Sequence, residues 1–181
     1  MTTEQATKQI AVLVAAEGIE QVELTGPWDA LVAAGWQPRL LSPEAGSVQA
    51  FHHLDPADTF HVDSTVGDAD PDAYAAAMLP GGVANGDQLR TDEDAVEFVR
   101  SFLEADKPVA AICHAIWTLV ETGELTGRRL TSWPSLQTDV RNAGGEWVDE
   151  EVVVDRNLVT SRKPDDIPAF NQALLEQLGA V

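Results

Sequence analysis

The apolar positions of this chain fall into short unbroken runs separated by stretches with helical spacing. Residues 10–16 (I-A-V-L-V-A-A) and Val109–Ile112 (V-A-A-I) show no polar alternation, the pattern of strands covered on both faces, as in a parallel sheet. Residues 75–79 read as a third strand of this kind, with shorter ones at 38–41 and 130–132. After the first run, Leu24, Trp28, Leu31 and Val32 mark the buried stripe of a helix over 24–34, with Gly35 as its C-cap. This β-α-β unit implies a parallel sheet, because such crossovers are right-handed. Val96, Val99, Phe102 and Leu103 define an amphipathic helix with Asp92, Glu93 and Asp94 in its first turn. Helices over 136–143 and 167–178 follow, the first capped by Gly144 and Gly145, the second with Ile167, Phe170, Leu174 and Leu178 inward. Residues 152–154 and 158–160 flank Asp155, Arg156 and Asn157 as a hairpin at the sheet edge. No repeat, linker or low-complexity segment interrupts the series, which predicts one doubly wound α/β domain over residues 1–181.

Residues 42–72 are less regular. Strands are expected at 48–51 and 60–62, with Asp55, Pro56, Ala57 and Asp58 as a turn between them. Three histidines lie here, His52, His53 and His61, but their spacing matches no common ligand set and no second cysteine is available. Asp63, Asp68, Asp70 and Asp72 lack the loop spacing and closing glutamate of a calcium site. A solvated acidic face is the expectation, and no metal.

The segment 107–120, K-P-V-A-A-I-C-H-A-I-W-T-L-V, runs from a buried strand into a helix beginning at Ala115, with no linker. Cys113 stands at the junction. Unpaired N–H groups at a helix start favour thiolate over thiol, and a sharp strand-to-helix turn lifts the reactive atom above the sheet, as in a nucleophile elbow. A lone cysteine can equally be a small buried hydrophobe. His114 is adjacent, but neighbours on a regular helix do not face each other, so a Cys–His pair needs Cys113 outside helical geometry.

Composition narrows the class. The chain carries 30 acidic against 11 basic residues, a formal net charge of −19, which repels phosphate backbones and anionic membranes; neither nucleic acid nor membrane is an expected partner. Residues 1–9 do not resemble a signal peptide, and no apolar run reaches membrane-spanning length. One cysteine excludes an intramolecular disulfide and fits a reducing cytoplasm.

Ligands of an open parallel sheet bind beyond the carboxyl ends of its strands. Loops 17–23, 81–87, Cys113 with His114, and 132–135 meet that criterion, and Trp133 in the last is a candidate pocket wall. Pro80-Gly81-Gly82 after a strand lets backbone approach something closely, and Asn85, Gly86 and Asp87 read as a second turn. No loop has a G-x-G-x-x-G or G-x-x-x-x-G-K pattern, which argues against dinucleotide or nucleoside triphosphate cofactors. Thiol chemistry remains. Glu23 stabilises a thiolate if it is protonated and donates to sulfur, and opposes one if ionised; it is otherwise a helix-start carboxylate. The N–H groups of Gly82 and His114 are candidates to hold a developing oxyanion, and His114 to move a proton.

A-E-G-I-E-Q-V-E-L, L-P-G-G, A-I-C-H-A, T-S-W-P-S, N-A-G-G-E-W-V-D and V-V-V-D-R-N-L-V-T-S-R occur in that order over nearly the whole chain. The set resembles the ThiJ/PfpI superfamily, closest to its PfpI-like branch of intracellular proteases and general stress proteins. The resemblance implies a flavodoxin-like, class I glutamine amidotransferase-like three-layer sandwich with a mostly parallel central sheet. It also implies a nucleophile at Cys113, a thiol-contacting acid at Glu23, a histidine at His114, and, at Asp87, an acid that a neighbouring subunit supplies. Homodimers or homohexamers without a cofactor are implied as well. The chain departs from the usual C-H-G at Ala115, and Asp87 is shorter than the branch's frequent Glu.

Two functions follow. One is a cysteine-dependent hydrolase or lyase, peptidase or glyoxalase/deglycase-like, acting on peptides or small carbonyl compounds with Cys113 and His114. The other is a redox-responsive stress protein in which Cys113 is oxidised to sulfenic or sulfinic acid. A glutamine amidotransferase is set aside because no histidine follows His114.

Overall fold

Strand β1 (Gln9–Leu13) leads into β2 (Glu17–Glu20), helix α1 (Gln21–Ala33) and β3 (Gln37–Ser42) in a computed structural model that describes residues 8–180. Residues 1–7, and with them most of the stretch read for a signal peptide, lie outside the described residues. Next come β4 (Ser47–His52), β5 (Asp55–His61), β6 (Ser64–Thr65), β7 (Ala76–Leu79), α2 (Val83–Leu89), α3 (Glu93–Glu104) and β8 (Val109–Ile112). The chain continues through α4 (Ile116–Thr122), β9 (Arg129–Leu130), α5 (Gln137–Asn142), β10 (Glu146–Trp147), β11 (Val152–Asp155), β12 (Leu158–Ser161) and α6 (Ile167–Gln177).

The central sheet has the order β11-β12-β8-β7-β1-β3-β6, parallel throughout except for β11 against β12. Its inner strands β3, β1, β7, β8 and β12 reproduce the flavodoxin-like order 2-1-3-4-5. Successive residues point to opposite faces, so each apolar run feeds two cores. Ile10, Val12, Met78, Ala110 and Ile112 meet Leu24 and Leu31 of α1 and Phe170 and Leu174 of α6. Ala11, Leu13, Leu79, Val109 and Ala111 meet Phe98, Val99 and Phe102 of α3, with Leu119 and Val140 of the next two helices. Phe102 and Phe170 are fully buried, each contributing about 2–3 kcal/mol by leaving water. The three-layer sandwich with a mostly parallel sheet is therefore present. Val32, expected inward, is 53% exposed; Pro27 is buried in the α1 face instead.

A second, three-stranded sheet in the order β2-β4-β5 lies beside α1. Residues 17–23, expected to be a loop, supply its first strand and the start of α1; with Ile19 the one apolar residue of β2 fully buried, no periodicity marked it. Residues 55–58, expected to be a turn, begin β5, which pairs antiparallel with β4. Pro56 is tolerated because β5 is an edge strand, and the turn falls at His53 (φ 57°) and Leu54. Asn85, Gly86 and Asp87 lie within α2 rather than in a turn. Asn85 is fully buried; its Oδ1 accepts from the Ala15 N–H (2.7 Å) and its Nδ2 donates to the carbonyls of Pro80 (2.9 Å) and Gly81 (3.1 Å). Its hydrogen-bonding capacity joins β1 to the loop after β7.

Candidate active site

β8 is buried along its length and ends at Ile112; Cys113 then takes φ 63°. A non-glycine residue in this left-handed region costs of order 1–3 kcal/mol. A 3₁₀ turn over Cys113–Ala115 precedes α4, which starts one residue later than the sequence pattern indicated. The Trp133 N–H donates to the Cys113 carbonyl at 3.2 Å. Because Cys113 is outside helical geometry, adjacent side chains meet: Nδ1 of His114 lies 3.1 Å from Sγ.

Two glycines let the surrounding chain close on this turn. A Cβ on Gly81 would strike the Glu23 carboxylate and lie 2.6 Å from Cβ of Cys113. A Cβ on Gly82, whose φ is 101°, would strike the Gly18 carbonyl and lie 2.7 Å from the Glu20 nitrogen. The close approach read from P-G-G is thus the approach of the β7 loop to the elbow and to β2. The N–H groups of Gly82 and His114 are directed at Sγ.

Glu23, on the first turn of α1, is completely buried, and neither carboxyl oxygen has a hydrogen-bond partner of ordinary geometry. Burial pushes its pKa up to about 8, the negative charge of Glu20 adds to the rise, and the nearby Cys113 thiol and Gly81 N–H oppose it. At neutral pH Glu23 therefore holds its proton. Burial also pushes the Cys113 thiol up; an ionised Glu23 pushes it further, while the Gly82 and His114 N–H groups pull it down. The thiolate expected from the helix start is thus opposed by desolvation, since Cys113 is only 6% exposed. The contribution from the Glu23 charge vanishes below about pH 8, where that carboxyl is neutral.

His114 is buried and neutral at pH 7, burial having lowered its pKa to about 4. Its ring lies nearly parallel to Trp133 (centroids 5.6 Å apart, 25°) and edge-on to Trp117 (5.2 Å, 61°). Trp117 is itself held by an Nε1 hydrogen bond to Oδ2 of Asp139 at 2.9 Å. With the ring proton on Nε2, Nδ1 can accept from the thiol.

A cleft of about 620 Å³ opens above Cys113, Glu23 and His114 at the carboxyl ends of the strands, where open sheets take ligands. Trp133 lines it, as does Asp87, exposed on α2 in the same chain as His114. Sequence reasoning missed Glu20, Trp117 and the β4–β5 hairpin residues Phe51, His53 and Leu54, which also line it. Leu54, a single apolar residue among polar ones, was the available signal. No three His, Cys, Asp or Glu side chains among the described residues could hold a metal ion together. Among the same residues, no helix is long and apolar enough to cross a membrane.

The model of the DJ-1/PfpI family matches residues 8–177. The chain is 41% identical over 175 residues to a protein from Escherichia coli named protein/nucleic acid deglycase 2, covering 96% of this chain and 99% of that one. It is 39% identical over 172 residues to YraA of Bacillus subtilis, named as a candidate cysteine protease, covering 95% and 99% of the two chains. Among solved structures, a two-domain protein of Anabaena variabilis with a DJ-1/ThiJ/PfpI-like and a ferritin-like domain superposes with a TM-score of 0.89 at 32% identity. That match covers 96% of this chain and 48% of the other. A family model over most of the chain and full-length relatives at 39% and 41% identity show that the chain belongs to the DJ-1/PfpI family.

Proposed function

We propose that this protein is a cysteine-dependent hydrolase, peptidase or glyoxalase/deglycase-like, in which Cys113 attacks a carbonyl carbon with His114 as its proton acceptor. The observation that carries this reading is Sγ at 3.1 Å from a neutral imidazole nitrogen, facing a protonated carboxyl at the floor of an open cleft. The thiol proton passes to Nδ1 of His114 as the S–C bond forms. The carbonyl electron pair moves onto oxygen, and the neutral Glu23 is placed to protonate it. For a peptide, the hydroxyl returns its proton to Glu23 as the carbonyl re-forms and the C–N bond breaks. The amine leaves with the proton held by His114, and water hydrolyses the thioester to a carboxylic acid and the free thiol. Names of full-length relatives support both substrate classes. No cofactor enters this scheme, and the net charge of −19 disfavours nucleic acid or an anionic membrane as partner. Assembly as a homodimer or homohexamer belongs to the same reading.

The test is turnover of methylglyoxal and of a fluorogenic peptide panel. Cys113→Ser should lower it by on the order of 10³-fold or more, and His114→Ala by on the order of 10²–10⁴-fold. A Cys113→Ser protein that still turns over would overturn the reading.

One observation favours a second reading, oxidation of Cys113 by peroxide: both oxygens of the buried Glu23 are unpartnered beside the chain's one cysteine. Sulfur gives two electrons, the O–O bond breaks, one oxygen stays as sulfenate and the other leaves as water. Protonated Glu23 can donate to the retained oxygen. Peroxide sensitivity without turnover in the wild-type protein would select this reading over the first.

A further inference from the structure

The cleft is asymmetric in charge. Its mouth is apolar: Leu54 at the β4–β5 hairpin tip is 92% exposed, Val83 58% and Trp133 38%, all three lining the opening above Cys113. The acidic side chains lining it are Glu20, Asp87 and Glu23, the last of which holds its proton at neutral pH; no lysine or arginine lines it among the described residues. Of its two imidazoles, His114 is neutral at pH 7, and His53 lies 3.8 Å from Glu20 at the hairpin. Glu20 is turned toward the hairpin, its Oε2 accepting from the His53 N–H at 3.1 Å. At the floor, the Glu23 carboxyl is fully buried and without a well-formed partner. A ligand entering this cleft meets hydrocarbon and the carboxylates of Glu20 and Asp87, with no lysine or arginine among the described lining residues to receive an anion.

We infer that the cleft selects substrates by charge, admitting neutral and cationic carbonyl compounds to Cys113 and rejecting those that carry a carboxylate or phosphate, with Asp87 and Glu20 as the specificity-determining residues. This rests on the proposed carbonyl chemistry at Cys113 and names the substrate class for it. A carboxylate-bearing substrate would have to lose water beside two acidic side chains with no ion pair in return. A cationic one gains their attraction and passes the partly exposed Trp133.

Because Cys113 is the chain's one cysteine, charged thiol reagents read the cleft without any turnover. The experiment compares second-order rates for three methanethiosulfonates, bearing a trimethylammonium, a sulfonate or no charge, against a free thiol at pH 7.5 and 0.15 M salt. In each case the thiolate forms a mixed disulfide and methanesulfinate leaves. Relative to the free thiol, the cation-to-anion rate ratio at Cys113 should rise at least about tenfold, and Asp87→Asn with Glu20→Gln should remove most of that rise. Glu97→Gln and Glu104→Gln make the same change in net charge away from the cleft, and should leave the ratio nearly unchanged because charges beyond about 8 Å are screened. Equal effects of the near and remote pairs would overturn the inference, assigning the selectivity to the overall charge of −19. A ratio equal to that of the free thiol, or no reaction with any of the three, would overturn it as well. Turnover of methylglyoxal, glyoxylate and the fluorogenic peptide panel separates the two proposals: a charge ratio with no turnover of any of them leaves the selectivity standing and removes the hydrolase.

Discussion

Replacing Glu23 by glutamine keeps the shape of the buried side chain and removes its ionisation. Folding raises the Glu23 pKa from an ordinary 4.5 to about 8, so between these values the folded chain holds a proton that the unfolded chain has released. Stability then falls as pH rises, by 1.36 kcal/mol per unit and about 5 kcal/mol in all. His114 acts with the opposite sign. Its pKa falls from 6.5 to about 4 on folding, so stability rises with pH across that interval, by about 3 kcal/mol. The two contributions nearly cancel between pH 4.5 and 6.5, and the wild-type protein should then lose about 2 kcal/mol between pH 6.5 and 8. In Glu23→Gln the histidine contribution stands alone: stability climbs to pH 6.5 and holds to pH 8. Urea unfolding of both proteins, at one protein concentration and from pH 4.5 to 8, gives the difference, in which every other titrating group cancels. That difference should grow by several kcal/mol toward pH 8. A difference constant within about 1 kcal/mol would show that Glu23 does not keep its proton, and the acid role assigned to it would fall.

The same variant should change Cys113 alkylation by iodoacetamide with a characteristic pH dependence: faster than wild type above pH 8, where an ionised Glu23 opposes the thiolate, and not faster at pH 6. A constant rate ratio across that range would detach Glu23 from the sulfur. Gly81→Ala should either fail to fold stably or displace Glu23, because the new Cβ collides with the carboxylate and crowds Cys113; a urea midpoint and alkylation profile like wild type would refute the packing described. Asn85→Ala leaves the Ala15 N–H and two carbonyls unpaired in the interior and should cost about 2–5 kcal/mol in urea unfolding, with a loss below 1 kcal/mol counting against its bridging role.

The central strands were legible because burial on both faces leaves an unbroken apolar run, and V-A-A-I next to a cysteine located both a strand end and the turn that carries the sulfur. Hairpin β11–β12 and helix α3 followed from turn residues and a strong apolar stripe. Elements held by partners distant in sequence were not legible. β2 owes its strand form to pairing with β4, some 30 residues on, and Pro56 at a sheet edge reads as a turn until the edge is known. Asn85 and Gly86 show the same limit: their local preference is a turn, but the interior needs one to bond the β7 loop and the other to let α2 approach the His114 carbonyl. Glu23, Cys113 and His114 were identifiable as residues, whereas the charge they carry was not. A helix start favours a thiolate and a helix-start carboxylate is ordinarily ionised. Burial at one point of the fold reverses both, and that depends on the whole sandwich.

That reversal separates a functional group from a structural one. An acid with no cation beside it, fully buried and raised to about pH 8, opposes folding throughout the neutral range, and glutamine would fill the same space at less cost. Cys113 adds a left-handed backbone at the same point of the fold, and burial works against its own ionisation. Both penalties fall on atoms facing an open cleft, with two N–H groups and an imidazole nitrogen directed at the sulfur. Packing alone accounts for none of these choices. The reaction proposed for Cys113, which needs a proton acceptor and a proton donor on either side of the sulfur, would account for all of them.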